Sequence, residues 1–379
     1  MDQKQYDYAI IGAGAAGLQL ILKMIHEPFF KERTILVLDR DDKRANDRTW
    51  CFWEPGKTKW DGLATHIWSQ GKFINNKETV DFDLRPYRYK MVRSESFYRF
   101  GKEEVQKAGN ITWIKDEIVS IEKQDVIGEK QTYRATHIFD SRIPQEFHEK
   151  QDNYHSLIQH FKGWFIKTKS PAFDPGTFTM MDYRLKWKDS TSFTYVLPIS
   201  ETEALVEFTL FNDQLLMTDE YDQYLRQYIY KYLDIDSYEI TEVEQGLIPM
   251  SDYPFHTHHS KFVTLIGTAG GWVRPSSGYS FKNADRYSTM MVENIIKGKR
   301  PEKGIGTSRF RMYDSIFLNV LSARNDLGED IFTRLYTKPD IQSVFRFLDE
   351  ESSLAEDIKV MFSLNKPQFW KAFLQTFVR

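Results

Sequence analysis

Three glycines near the start of the chain, Gly12, Gly14 and Gly17, stand as G-x-G-x-x-G within the stretch YDYAIIGAGAAG at residues 6–17. That spacing can grip a pyrophosphate: the first glycine permits a tight turn, the second lets the phosphates approach the backbone, and the third lets a helix pack closely on its strand. With Ala13, Ala15 and Ala16 between and after them, they form a candidate cofactor loop. An acid twenty-odd residues further on, Asp39, stands where a ribose hydroxyl is met in such sites. A second glycine cluster, Gly267, Thr268, Ala269 and Gly270, lies near the other end of the chain. Backbone donors from both clusters facing one ligand suit a long dinucleotide gripped at two places, a flavin dinucleotide better than a nicotinamide one.

The elements that must position these groups can be read from hydrophobic spacing. The apolar run at 8–11 precedes the first glycine turn, and residues 15–25 carry apolar side chains at helical spacing, so the unit is strand, turn, helix. The anion then sits on a helix N-terminus, favoured by free N–H groups and the macrodipole. Residues 34–38 form a second strand ending in Asp39. Runs at 89–92, 111–114, 118–122 and 136–139 read as further strands, and Ser94 is placed to cap a helix opening after Arg93. The segment 46–53, NDRTWCFW, reads as a loop that either covers the cofactor or packs. Residues 261–266 form a strand running into the second glycine turn, followed by a helix over about 279–296.

Between these halves the pattern changes. Aromatic and β-branched runs at 163–168, 178–184, 192–198, 204–211 and 238–244, separated by turn formers, predict a mostly antiparallel sheet. Residues 215–233 interrupt it as a helix whose stripe of Tyr221, Leu225, Tyr228, Ile229 and Tyr232 is either packing or a ligand surface. From about Arg309 the chain reads as helical. The expected class is α/β: a discontinuous Rossmann-like FAD-binding domain (1–155 and 245–305), an antiparallel substrate-binding sheet domain (156–244) and a helical C-terminal cap (306–379). In the last segment Phe369, Trp370, Phe373, Leu374 and Phe377 gather near one face, with Lys371 and Arg379 elsewhere. Such a helix either caps the core or lies on a membrane surface.

Composition narrows the partners. A formal charge of −3 over 379 residues, without a long basic block, argues against nucleic acid. The single cysteine, Cys51, excludes an intrachain disulfide, fits a reducing compartment and argues against zinc. His256, His258 and His259 read as a polar loop rather than metal ligands. No basic leader with an apolar core opens the chain, and no apolar run is long enough to span a bilayer. The 28 Phe, 20 Tyr and 9 Trp either fill the core or line a large aromatic cavity.

The segments DYAIIGAGAAGL, NDRTWCFW, FDSR, MMDYR, FTYVLP, ALVEFT, GLIPM and IGTAGGWVRPSSGYSFKN, in this order over nearly the whole chain, resemble the lycopene cyclase family, the bacterial β-cyclases in particular. Flavin hydroxylases usually carry an aspartate where this chain has Thr268. The resemblance implies a flavoprotein fold and bound FAD active in its reduced form, with NAD(P)H a candidate reductant. The implied reaction turns the open ψ-ends of lycopene into β-rings, through γ-carotene to β-carotene, without net redox change, which makes the protein an intramolecular lyase or isomerase of carotenoid biosynthesis. By position and resemblance Arg48, Arg93 and Asp140 join the cofactor set. The family's F-L-E-E-T motif falls on residues 205–209, where the first acid is Glu207 and the second is replaced by Phe208.

Cyclisation requires a proton donor strong enough for an alkene, attack by the next double bond, and removal of a ring proton. Glu207 suits the first role if burial among Leu205, Phe208 and other apolar groups keeps it neutral; otherwise it is an outward-facing strand glutamate. Asp182 either holds the proton on Glu207, or accepts the ring proton, or simply pairs with Arg184. Exposing half of a forty-carbon polyene to water costs roughly 16 kcal/mol at about 0.8 kcal/mol per carbon. The enzyme is therefore expected in the cytoplasm, peripheral on the inner face of the membrane, taking lycopene and related carotenoids from the bilayer. A flavin-dependent hydroxylase or reductase of lipids, and a prenyl-lipid carrier without chemistry, are the alternatives.

Overall fold

Apolar runs buried on both faces build the sheet that carries the glycine loop. The computed structural model describes residues 4–149, 154–306, 309–364 and 367–376. Its first sheet has the order β8 (Ile111–Lys115), β2 (Ile35–Asp39), β1 (Gln5–Ile11), β11 (Thr132–Asp140), β10 (Asp125–Gly128) and β9 (Ile118–Glu122), with β17 (Val263–Leu265) also against β11. β8, β2, β1, β11 and β17 run parallel, and β10 and β9 form an antiparallel edge. Ala9, Ile10 and Ile11 are fully or nearly fully buried, as parallel strands covered on both faces must be. Helix α1 (Ala15–His26) follows the turn and packs on α4 (Phe281–Ile296), the helix after the second glycine cluster. Gly12 has φ +91°, which only glycine adopts freely, and a Cβ on Gly17 would stand 1.9 Å from the Gly12 carbonyl oxygen. Both glycines are thus where the strand–turn–helix reading puts them.

The second sheet is wider than its sequence signal. Its order is β16 (Glu239–Ser251), β12 (Ser156–Lys167), β15 (Glu203–Asn212), β14 (Ser192–Pro198), β13 (Thr177–Asp182), β5 (Gln70–Ile74) and β6 (Thr79–Asp83). Every pair is antiparallel except β13 and β5. The two strands at one end, β5 and β6, come from the first third of the chain, where sequence reading placed only the nucleotide sheet. β12 and β16 each extend well past the expected 163–168 and 238–244. Strict alternation divides this sheet: Val206, Phe208 and Leu210 form one apolar cluster with Leu225, Tyr228 and Ile229 of helix α3 (Thr218–Tyr232). The α3 stripe is therefore packing. The other face meets the C-terminal helices α5 (Arg309–Ala323), α6 (Gly328–Thr337), α7 (Ile341–Leu348), α8 (Leu354–Ser363) and α9 (Pro367–Thr376) through Phe193, Leu205, Phe211, Phe332 and Tyr336.

A third, small sheet corrects the reading of residues 46–53 as a loop from residue 49 onward, while 46–48 stay irregular. β3 (Thr49–Pro55) pairs with β7 (Tyr87–Arg93), which pairs with β4 (Ala64–Trp68). Helix α2 (Ser94–Ala108) leaves β7, but Ser94 does not cap it. The Ser94 hydroxyl instead accepts from the Asp47 and Arg48 N–H groups, and Asn46 Oδ1 takes the Glu95 N–H from outside the helix.

Candidate active site

Where the three sheets meet, a cavity of ≈ 770 Å³ runs from the glycine turn to the C-terminal helices. At one end its wall is the α1 N-terminus. Gly14 is the residue before that helix, no side chain caps the free N–H groups, and the helix's first turn carries no acid. A Cβ on Gly14 would meet nothing within 4 Å, so the backbone here stands open to a ligand. Gly14, Ala15, Ala16 and Gly17 all line this end, with Lys43 and Arg48 beside them and Gly267 and Thr268 opposite. Free amides, a helix N-terminus and the Arg48 cation, with Lys43 shared with Asp39 and Asp47 at 3.8 and 3.9 Å, make a site for a phosphate-bearing group. Further in, Gln159 Oε1, Trp272 Nε1 and Ser277 Oγ are buried without a hydrogen-bond partner, and all three residues line the same cavity.

Several predicted cofactor residues stand behind this wall rather than on it. The Asp39 carboxylate accepts from the Ala13 N–H at 2.6 Å and the Asp41 N–H at 2.8 Å, so it braces the loop. Ala13 and Ala269 are fully buried, and a Cβ on Gly270 would meet the Leu265 carbonyl oxygen at 2.6 Å, so these are packing positions. The expectation that Asp140 faces the cofactor is corrected: Arg142 takes its carboxylate through Nε and Nη2. Arg93 is corrected too. Its guanidinium pairs with Glu242, lies 3.8 Å from Glu244 and rests over the Phe165 ring. A cation so engaged has little left for a phosphate.

In the middle of the cavity the second sheet presents one row of residues across four strands: Glu244 on β16, Gly163 on β12, Glu207 on β15 and Tyr195 on β14. Glu207 therefore points inward with Leu205 and Thr209, and is 8 % exposed. Burial first, and then the charge of Glu244, push its carboxyl up to about 8. The Thr209 hydroxyl donates to Glu207 Oε1 at 2.7 Å. Glu244 accepts from the Thr49 hydroxyl at 2.6 Å and has the Arg93 cation near it. Burial raises its pKa as well, opposed by Thr49 and Arg93. Phe208 does not surround Glu207 as expected; it faces α3 and stacks on Tyr224 at 4.7 Å. An acid at that position would lie on the far side of the sheet.

Asp182 is likewise on the far side. Its row is Lys162, Phe208, Thr194, Asp182, one register step from that of Glu207. It is fully buried, held by Arg184 Nε at 3.0 Å and by the Tyr228 hydroxyl at 2.7 Å. The structure thus corrects the pairing of Asp182 with Glu207 and sets Glu244 there instead. Sequence reading placed Glu244 at a strand end and gave it no role. A glycine inside an aromatic strand, Gly163, was the available signal, because such a glycine marks a close approach.

Around the carboxyls the wall is aromatic. The Tyr195 hydroxyl donates to that of Tyr89 at 2.5 Å, and Tyr89 lies 3.3 Å from Tyr279. At the far end Ile358, Met361 and Phe362 of α8 and Trp370 of α9 line the cavity while standing 36–62 % exposed to solvent. Leu374 continues this exposed surface, and Phe377 and Arg379 lie outside the described residues.

A mainly parallel sheet carrying the glycine turns, with a second, mainly antiparallel sheet and a helical cap meeting over one cavity, gives an α/β fold of the flavoprotein type. A flavin-dependent brominase superposes with TM-score 0.63 at 12 % identity, covering 94 % of this chain and 97 % of its own. A geranylgeranyl bacteriochlorophyll reductase-like protein from Thermoplasma acidophilum superposes with TM-score 0.59 at 11 % identity, covering 97 % and 96 %. Within that class, the family model described as lycopene cyclase protein matches residues 7–375, and the chain belongs to the lycopene cyclase family. A lycopene beta-cyclase of Pantoea ananas is 21 % identical over 380 residues, covering 95 % of this chain and 94 % of that protein.

Proposed function

We propose that the protein is a lycopene β-cyclase, an intramolecular lyase that closes the ψ-ends of lycopene to β-rings, giving β-carotene by way of γ-carotene. The observation that carries this reading is Glu207: a carboxyl kept neutral near pH 7, set in the wall of an aromatic cavity. Its proton goes to the terminal alkene, the neighbouring double bond attacks the cation formed, and loss of a ring proton ends the reaction. Faces of Tyr89, Tyr195 and Tyr279 stabilise the cation by about 0.5–2 kcal/mol per well-placed ring. Burial excludes water, which would trap the cation as an alcohol.

FAD is the proposed cofactor. The open Gly14 backbone, the uncapped α1 N-terminus and the Lys43 and Arg48 cations suit its pyrophosphate, and the unpartnered polar atoms of Gln159, Trp272 and Ser277 suit a polar ring edge. When bound and reduced it would supply an electron-rich, anionic face near the developing cation, with NAD(P)H the proposed source of electrons. Lycopene and related carotenoids are the proposed substrates. Leu354, Ile358, Met361 and Phe362 recur at helical spacing along α8 and are exposed, as are Trp370 and Leu374. We place the cavity mouth among them, docked on the inner face of a cytoplasmic membrane. Among the described residues no helix is long and apolar enough to cross a bilayer.

The test is anaerobic incubation of the protein with lycopene in liposomes and photoreduced FAD, with pigments separated against β-carotene. A product of unchanged mass with two β-rings, absent in Glu207→Gln, is expected. Lycopene left untouched, with NAD(P)H oxidised once oxygen is admitted, would replace this reading by a flavin-dependent hydroxylase.

A further inference from the structure

The two carboxyls flanking Gly163 are too close to act independently. Glu207 and Glu244 occupy the strands on either side of β12, and both are in register with the one residue there that has no side chain. A Cβ on Gly163 would stand 3.3 Å from Glu207 Cβ, 3.4 Å from its Cγ and 2.8 Å from Leu205 Cδ1. The bare backbone is what lets the carboxyls meet over the strand. Neither Asp182 nor a second motif acid is on this face, so Glu244 is the group that shares the Glu207 proton.

We propose that Glu244 is a positioning residue of the cyclisation site, a fixed carboxylate that keeps Glu207 protonated at rest and opposes the charge of the cation when the proton leaves. This rests on the cyclase reading. The charged and titratable groups around the pair support the division of labour. From β7, Arg93 reaches Glu242 and lies 3.8 Å from Glu244. From β3, Thr49 donates to Glu244, and the Cys51 thiol, raised by burial, stays neutral. From β14 and β7, Tyr195 and Tyr89 are held neutral by burial. Among the groups just named the cation, Arg93, stands on the Glu244 side, so Glu244 bears the negative charge and Glu207 keeps the proton.

The proton balance then closes within the site. The Glu207 O–H breaks and a C–H bond forms at the terminal alkene carbon, leaving the O–H electron pair on Glu207. Two carboxylates now face one carbocation, in a cavity where electrostatic terms are stronger than in water. The ring closes, a ring C–H breaks, its electron pair becomes the ring double bond, and the proton returns to Glu207. Glu244 makes that carboxylate a better base for this last step. No oxidant or reductant is consumed.

Two readouts test the assignment. An infrared pH titration follows the protonated-carboxyl C=O band that Glu207→Gln removes, and the pH profile of ring formation is measured on the same protein. In the wild type the band and the rate should fall together as pH rises through about 8. Glu244→Gln, which keeps the side-chain shape, should move both to lower pH and lower the maximal rate roughly tenfold. Gly163→Ala, which puts a methyl against Glu207 Cβ and Cγ and displaces that side chain from Glu244, should move them in the same direction and serves if Glu244→Gln does not fold. A band and a rate limb unmoved in either folded variant would overturn the role of Glu244. A wild type that shows the band but forms no ring would overturn the cyclase reading and leave the carboxyl pair standing.

Discussion

Replacing Phe362, Trp370 and Leu374 together by serine should abolish vesicle binding without unfolding the chain. These side chains are 62, 55 and 66 % exposed, so each keeps more than half of its surface outside the fold. Full burial of a large apolar side chain is worth about 2 kcal/mol. Scaled by exposure, each contributes about 1.2 kcal/mol on a bilayer and the three together about 3.6 kcal/mol, a loss of some two to three powers of ten in partition. The assay is flotation with neutral phosphatidylcholine vesicles, which removes lipid charge from the comparison. Turnover of lycopene in detergent micelles should persist, because Glu207 is untouched, while turnover from vesicles should fall with binding. Unchanged flotation of a folded triple variant would refute docking through α8 and α9 and put the cavity mouth elsewhere.

Asp182→Asn should retain ring formation per folded molecule while lowering thermal stability by about 1–3 kcal/mol, since Arg184 and Tyr228 lose a charged partner; a rate loss matching that of Glu207→Gln would return Asp182 to the chemistry. The Glu207 carboxyl is raised from 4.5 to about 8 on folding, so the folded state holds a proton that the unfolded state has lost. Its contribution to stability is therefore full below about 4.5 and declines as pH rises through 8, and thermal melts of Glu207→Gln should lack that part of the decline. Gly14→Asp should prevent FAD binding, followed by flavin fluorescence quenching, because a carboxylate at the α1 N-terminus repels a pyrophosphate; undiminished quenching would move the cofactor away from this turn.

The half that carries the glycine turns was the more legible in the sequence because glycine spacing encodes backbone geometry directly. Gly12 and Gly17 do what G-x-G-x-x-G requires, and the second glycine cluster does come round to the same cavity. The class of the antiparallel sheet was readable from aromatic and β-branched runs separated by turn formers. What stayed hidden was long-range. Nothing local tells that β5 and β6 cross to the second sheet, or that Asn46 rather than Ser94 serves the start of α2. Glu207 was found through its motif, whereas Glu244 required knowing that both strands flank β12. Alternation did separate Asp182 from Glu207, but only once the register between β13, β14 and β15 was known. Arg93 and Asp140 illustrate the same limit: position suggested a cofactor, and tertiary partners had already claimed both side chains.

The parallel ladder between β5 and β13 has a consequence for how the chain comes to be folded at all. Gln70 and Thr177 pair across 107 residues, and the strands between them belong to all three sheets. The sheet bearing Glu207 is consequently not a module that could be excised or grafted: a fragment starting at β12 would expose the edge of β13 where β5 should lie. During synthesis β5 and β6 emerge long before their partner strand, so their apolar side chains, Phe73 and Phe82 among them, must wait for it. Until β13 arrives, that apolar surface and the open strand edge are exposed to aggregation during synthesis.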